Sequence, residues 1–142
     1  MRIKPQYYSF VLISIILLNI IFTTYFINIF FLGIVFILFN DSLKNEYYYI
    51  AILSVITFLF IETLHGIVAF LFLIISLFLY NFIISKLKNL FAYSSIKEII
   101  YIFIFYILFF LSYIALNGYS KTIIFIFLLN LFIDIVIVGF LL

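Results

Sequence analysis

Hydrophobic residues run through this chain in long blocks, and polar residues interrupt them only briefly. The first block carries no charge from Tyr7 to Phe39. As one helix it would reach roughly 50 Å, against a bilayer hydrocarbon core of about 30 Å, so it has to break. Thr23, Thr24 and Asn28 are the polar positions where it can turn. This pattern predicts a helix over 7–25, a short second helix over 28–39, and a polar loop from Asn40 to Glu46. The next block, 47–85, would be roughly 60 Å long if continuous. Glu62, His65 and Gly66 interrupt it, which gives helices over 47–61 and 67–85.

A basic loop opens with Lys86-Leu87-Lys88-Asn89 and runs to Lys97 and Glu98. Ser95 and Glu98 have capping-box spacing and predict a helix over 99–116. Asn117-Gly118 supplies a turn, and a last helix covers 122–142. No internal repeat stands out, and no helix carries a seam of small residues, so packing is expected to use bulky Phe, Ile and Leu. Tyr7, Tyr8, Tyr47–Tyr49, Tyr93 and Tyr119 fall at predicted helix ends, as an aromatic belt does.

The expected fold is all-α: one polytopic membrane domain over 1–142, a compact bundle of six transmembrane helices. Composition agrees, because a chain 70% hydrophobic and 8% charged, with a mean hydropathy of +1.53, has no polar surface to offer water. With six crossings, Arg2, Lys4, Lys44, Lys86, Lys88 and Lys97 share one side and Lys121 lies on the other. The positive-inside rule then puts both termini in the cytoplasm. The basic start followed by an apolar run looks like a secretory signal, but no small-x-small cleavage site follows, so the first helix is read as uncleaved. The net charge of +2 argues orientation rather than nucleic-acid binding. Heavy use of Phe, Ile, Tyr, Asn and Lys is what an AT-rich bacterial genome encodes.

Candidate chemistry is sparse. The chain has no cysteine and one histidine, His65, so thiolate chemistry and His-rich metal sites are excluded. No Gly-x-Ser-x-Gly, paired-His zinc motif or P-loop occurs, and no catalytic residue, metal or cofactor is expected. Glu62, His65 and Gly66 form the most unusual segment. On a continued helix Glu62 and His65 would share a face and could bond to each other, as a relay or a partner anchor, or simply as a polar turn. Asp134 lies deep in the last helix, where an acid must be paired, protonated or turned inward. Asn130, one turn earlier, could share its hydrogen bond. Asn19 and Asn81 are further interhelical candidates.

In layout the chain resembles the rod-shape-determining MreD family of bacterial inner-membrane proteins. The resemblance lies in the short second helix, the polar loop, and a third helix ending in an acid with Gly four positions on, here Glu62 and Gly66. An apolar helix then ends in the basic segment Lys86-Leu87-Lys88-Asn89, and the last helix carries Asn130 and Asp134. The family usually has Asp at the Glu62 position and a second Gly where Phe70 stands. The resemblance implies a non-enzymatic adaptor in the inner membrane. Such a protein binds a bitopic MreC-like partner within the cell-wall elongation complex, with Glu62, His65, Gly66, Asn130 and Asp134 as partner- or ligand-binding candidates. The alternative is the substrate-binding component of a vitamin-type transporter, which should line a solute cavity with polar groups.

Overall fold

A computed structural model describes residues 4–87 and 96–141. All regular structure among them is helical. A 3-10 turn, Pro5–Tyr7, leads into α1 (Tyr8–Thr24), followed by α2 (Leu32–Lys44), α3 (Tyr48–His65), α4 (Leu71–Leu87), α5 (Lys97–Asn117) and α6 (Lys121–Leu141). Four of the six, α1 with its leading turn, α3, α5 and α6, are long and apolar enough to cross a membrane. The expected count of six helices holds among the described residues, with α2 short as expected, and α4 is also shorter than the four long spans.

α2 has 13 residues, about 20 Å of helix, and falls well short of a hydrocarbon core. Every residue from Leu32 to Phe39 is buried. The cause is its composition: with apolar side chains on all sides it has no polar face to turn outward, and α3, α4, α5 and α6 enclose it. Phe36 stacks on Phe105 at 4.7 Å between ring centroids, and Phe72 meets Phe109 edge-on at the same spacing. These rings make the centre of the core, while α1 lies against α3.

The element boundaries differ from the expected ones for local reasons. α2 starts later than 28, because residues 25–31 carry the turn, with Phe26 and Phe31 both at φ +58°. It then continues through Asn40, Asp41 and Ser42 to Lys44, so much of the predicted polar loop is helix. Lys44 in the last turn suits the negative end of the helix dipole. α3 runs on past Ile61 to His65. α4 begins at Leu71 and contains a π segment, Leu79–Ile84. α5 starts at Lys97 after Ile96, which makes no side-chain cap bond; the expected cap, Ser95, lies outside the described residues.

One feature contradicts the absence of a repeat. α3 ends in a Schellman motif: Gly66 sits at φ +65°, its N–H bonds the Thr63 carbonyl, and the Ile67 N–H bonds the Glu62 carbonyl. α1 ends the same way with Phe26 in the glycine position, the Phe26 N–H on the Thr23 carbonyl and the Ile27 N–H on the Phe22 carbonyl. Each motif is followed by a short link and a second left-handed residue, Phe31 or Phe70, at the start of the next helix. The halves α1–α2 and α3–α4 thus repeat one broken-hairpin design. Apolar substitution hides it, because the repeat lies in backbone conformation.

Candidate functional site

The helix breaks are where the polar residues collect. The first turn of α2 lies inside the bundle, where its free N–H groups have no water to bond. Gly33 N–H donates to Asp134 Oδ2 at 2.8 Å, and Phe30 N–H donates to Asn130 Oδ1 at 2.7 Å. The Asn130 amide in turn donates to the Asn28 carbonyl at 2.8 Å, and Asn19 Nδ2 donates to the Phe30 carbonyl at 3.1 Å. Tyr106 from α5 donates its hydroxyl to the same Asp134 oxygen. Asp134 is fully buried, and its Oδ1 has no hydrogen-bond partner. Asp134 and Asn130 therefore do not bond each other; side by side on α6, they cap a helix that begins a hundred residues earlier.

Gly33 makes that approach possible. A Cβ at this position would stand 2.8 Å from Ile102 Cγ2 and 2.9 Å from Asp134 Oδ2. Gly33 and Tyr106 were not singled out from sequence. The available signal was a lone glycine and a lone phenol, each inside a run of Phe, Ile and Leu.

Glu62 does for α4 what Asp134 does for α2. Its Oε2 accepts the Phe70 N–H at 2.8 Å and its Oε1 the Phe72 N–H at 2.7 Å, and the side chain is 1% exposed. The expected Glu62–His65 bond does not form. His65 turns instead to α1, with Nε2 at 3.3 Å from Asn19 Oδ1, and packs edge-on against Phe30. Gly66 faces open space and serves as the Schellman turn. Asn81 is exposed, its carbonyl accepts from Ser85 Oγ, and among the described residues its side chain bonds no other helix.

Two cavities mark the ends of the bundle. A small one, about 120 Å³, is lined mainly by aromatic and aliphatic groups, with Asn28 and His65 at its edge. The larger, about 370 Å³, lies at the other end. From α2 it receives Ile37, Asn40, Asp41 and Lys44; from α4, the π-segment residues Tyr80, Asn81 and Ile84, with Ser85 just beyond; from α5, Lys97, Glu98 and Tyr101. Tyr8 of α1 reaches the same end and donates to Asp41 Oδ2 at 3.1 Å. The ends of α2 and α4 and the starts of α1 and α5 thus meet at the larger cavity. The ends of α3 and α5 and the start of α6 meet at the smaller, so successive helices alternate in direction.

No protein-family model, curated protein or solved structure matches the chain. Of the five residues singled out by sequence, Glu62, Asn130 and Asp134 bond backbone at helix breaks, Gly66 turns the chain, and His65 braces α3 against α1. They form two separate caps, one at each broken hairpin.

Proposed function

We propose that the chain is a non-enzymatic, multi-pass adaptor of a bacterial inner membrane. In this reading it serves the cell-wall elongation machinery as MreD proteins do and recognises a bitopic MreC-like partner through its transmembrane helices. The observation that carries the reading is the employment of the buried polar groups. Asn19, Glu62, Asn130 and Asp134 all bond backbone at helix breaks, so they hold a shape and leave no acid pair aimed at a substrate. The outer faces of α1 and α6, with Phe10, Leu17, Phe125 and Phe132 exposed, are available to lipid and to a partner helix.

Phe70 supports the same resemblance. MreD proteins usually carry a glycine there, and Phe70 adopts φ +65°, the conformation that favours glycine. The charges fit a cytoplasmic N-terminus: Lys4, Lys44, Lys86 and Lys97 flank the larger cavity's end of the bundle, and Lys121 starts α6 at the opposite end. Both shorter helices then still return the chain across the bilayer, with α2 and α4 shielded by their neighbours.

The test is purification of the tagged chain from native membranes in mild detergent, with mass spectrometry of what accompanies it. Recovery of an MreC-like bitopic protein with elongation factors is the expected result. Recovery of an ATPase pair with a bound vitamin would replace the adaptor reading with the transport one, which the 370 Å³ cavity favours.

A further inference from the structure

The larger cavity is not used by the adaptor reading, and its chemistry is specific. Asn40 stands in its wall, with the side-chain atoms Oδ1 and Nδ2 packed beneath the surface. Each is buried and has no hydrogen-bond partner in the structure. A buried amide with neither its donor nor its acceptor used is rare in a folded protein and points to a missing polar neighbour. A phosphate oxygen or ester oxygen meets the amide N–H₂; an ammonium or hydroxyl group meets the amide oxygen.

Around Asn40 the cavity carries charge of both signs. Lys44 and Lys97 enter from α2 and α5, Asp41 stands beside Asn40 with Oδ2 fixed by Tyr8, and Glu98 lines the cavity next to Lys97. A purely anionic ligand would meet Asp41, and a purely cationic one would meet the lysines. A group with a phosphate and an amine separated by a few atoms satisfies both. The opposite wall is the π segment of α4; such segments concentrate at functional positions. At about 370 Å³ the cavity is within the size range of small-ligand sites.

The surroundings indicate how the ligand arrives. Tyr80 and Tyr101 line the cavity, as tyrosines do at the headgroup level of a bilayer. Ile37 and Ile84 make part of the wall. Next to Asn81 along the π segment, Phe82 is exposed and its ring lies 5.2 Å from that of exposed Phe78, an apolar surface suited to acyl chains.

We propose that this cavity binds the headgroup of an amine-bearing zwitterionic phospholipid of the phosphatidylethanolamine type. The phosphate lies between Lys44 and Lys97, and the ammonium lies on Asp41 and the Asn40 amide oxygen. The site belongs to the same leaflet as the ends of α2 and α4.

The test uses the full chain in detergent with native mass spectrometry, competing phosphatidylethanolamine against phosphatidylglycerol and phosphatidylcholine. Phosphatidylethanolamine should be retained about tenfold over either competitor, the worth of one charge-assisted bond. Asp41→Asn should bring phosphatidylethanolamine and phosphatidylglycerol to near parity, and Lys44→Gln with Lys97→Gln should weaken all three. Both changes are near the surface, and retained melting temperature shows that they fold. Equal retention of the three lipids by the native chain overturns the proposal. So does glycerophosphoethanolamine, the same headgroup without acyl chains, if it displaces the lipid at comparable concentration; that result would make the site one for a soluble phosphate ester.

Discussion

Replacing Asp134 by leucine removes the cap on α2. Leucine is larger than aspartate, so no cavity forms, and overpacking adds to the lost hydrogen bonds; the cycle with Tyr106→Phe separates the two, because the overpacking cancels in it. Asp134 Oδ2 accepts from Gly33 N–H and from the Tyr106 hydroxyl, and both donors are buried with it. Each buried donor left without a partner costs about 1–3 kcal/mol, so Asp134→Leu should lose about 2–6 kcal/mol through these bonds. Asp134→Asn keeps a carbonyl oxygen at the same place to accept both bonds and should lose only about 1 kcal/mol. The assay is reversible unfolding in mixed micelles of mild detergent and dodecyl sulfate, followed by helix content. A cycle with Tyr106→Phe completes it. In the leucine background the phenylalanine should restore about 1–3 kcal/mol, because it removes one orphaned donor. If Asp134→Leu is as stable as the native protein, or if the two changes add without coupling, the cap is not what holds α2.

Two further substitutions read the backbone. Gly33→Ala should destabilise by about 1–3 kcal/mol through overpacking against Ile102 and Asp134, whereas Gly139→Ala, which meets nothing within 4 Å, should gain up to about 1 kcal/mol from helix propensity; opposite signs in a melting series check this, and equal signs refute it. Phe70 is half exposed and sits at positive φ, so Phe70→Gly should be more stable than Phe70→Ala by about 1–2 kcal/mol, measured by the same unfolding assay.

Most of the bundle was legible in the sequence because bilayer thickness imposes a length on apolar runs. The two breaks were located by the same argument, at Thr23–Asn28 and at Glu62–Gly66. What could not be read was how much of each piece survives as helix. Phe26, Phe31 and Phe70 take left-handed conformations that phenylalanine rarely adopts, so no local rule announces them. Partners of Asp134 and Asn130 were misassigned for a related reason. Spacing along one helix suggested each other, while the true partners are N–H groups of a chain segment about a hundred residues away. Backbone donors exposed by a break carry no mark in the sequence. The larger cavity was invisible too, because Asp41, Lys44 and Lys97 read as loop charges until α2 was found to continue through them.

The bonds between Phe30 and Asn130, and between Gly33 and Asp134, join positions 100 and 101 residues apart. A ribosome takes about 5–20 s to make that stretch. During that interval the start of α2 has neither acceptor, and a break in hydrocarbon cannot keep bare N–H groups. The hairpin α3–α4 has no such delay, since Glu62 lies only 8 and 10 residues from the N–H groups it accepts. On the multi-pass membrane reading proposed above, assembly has an order: the second hairpin closes as it emerges, while the first waits at the membrane surface or in the insertion machinery until α6 arrives. Chains truncated before Asn130 should accumulate there, with α1 inserted and α2 still outside the bilayer.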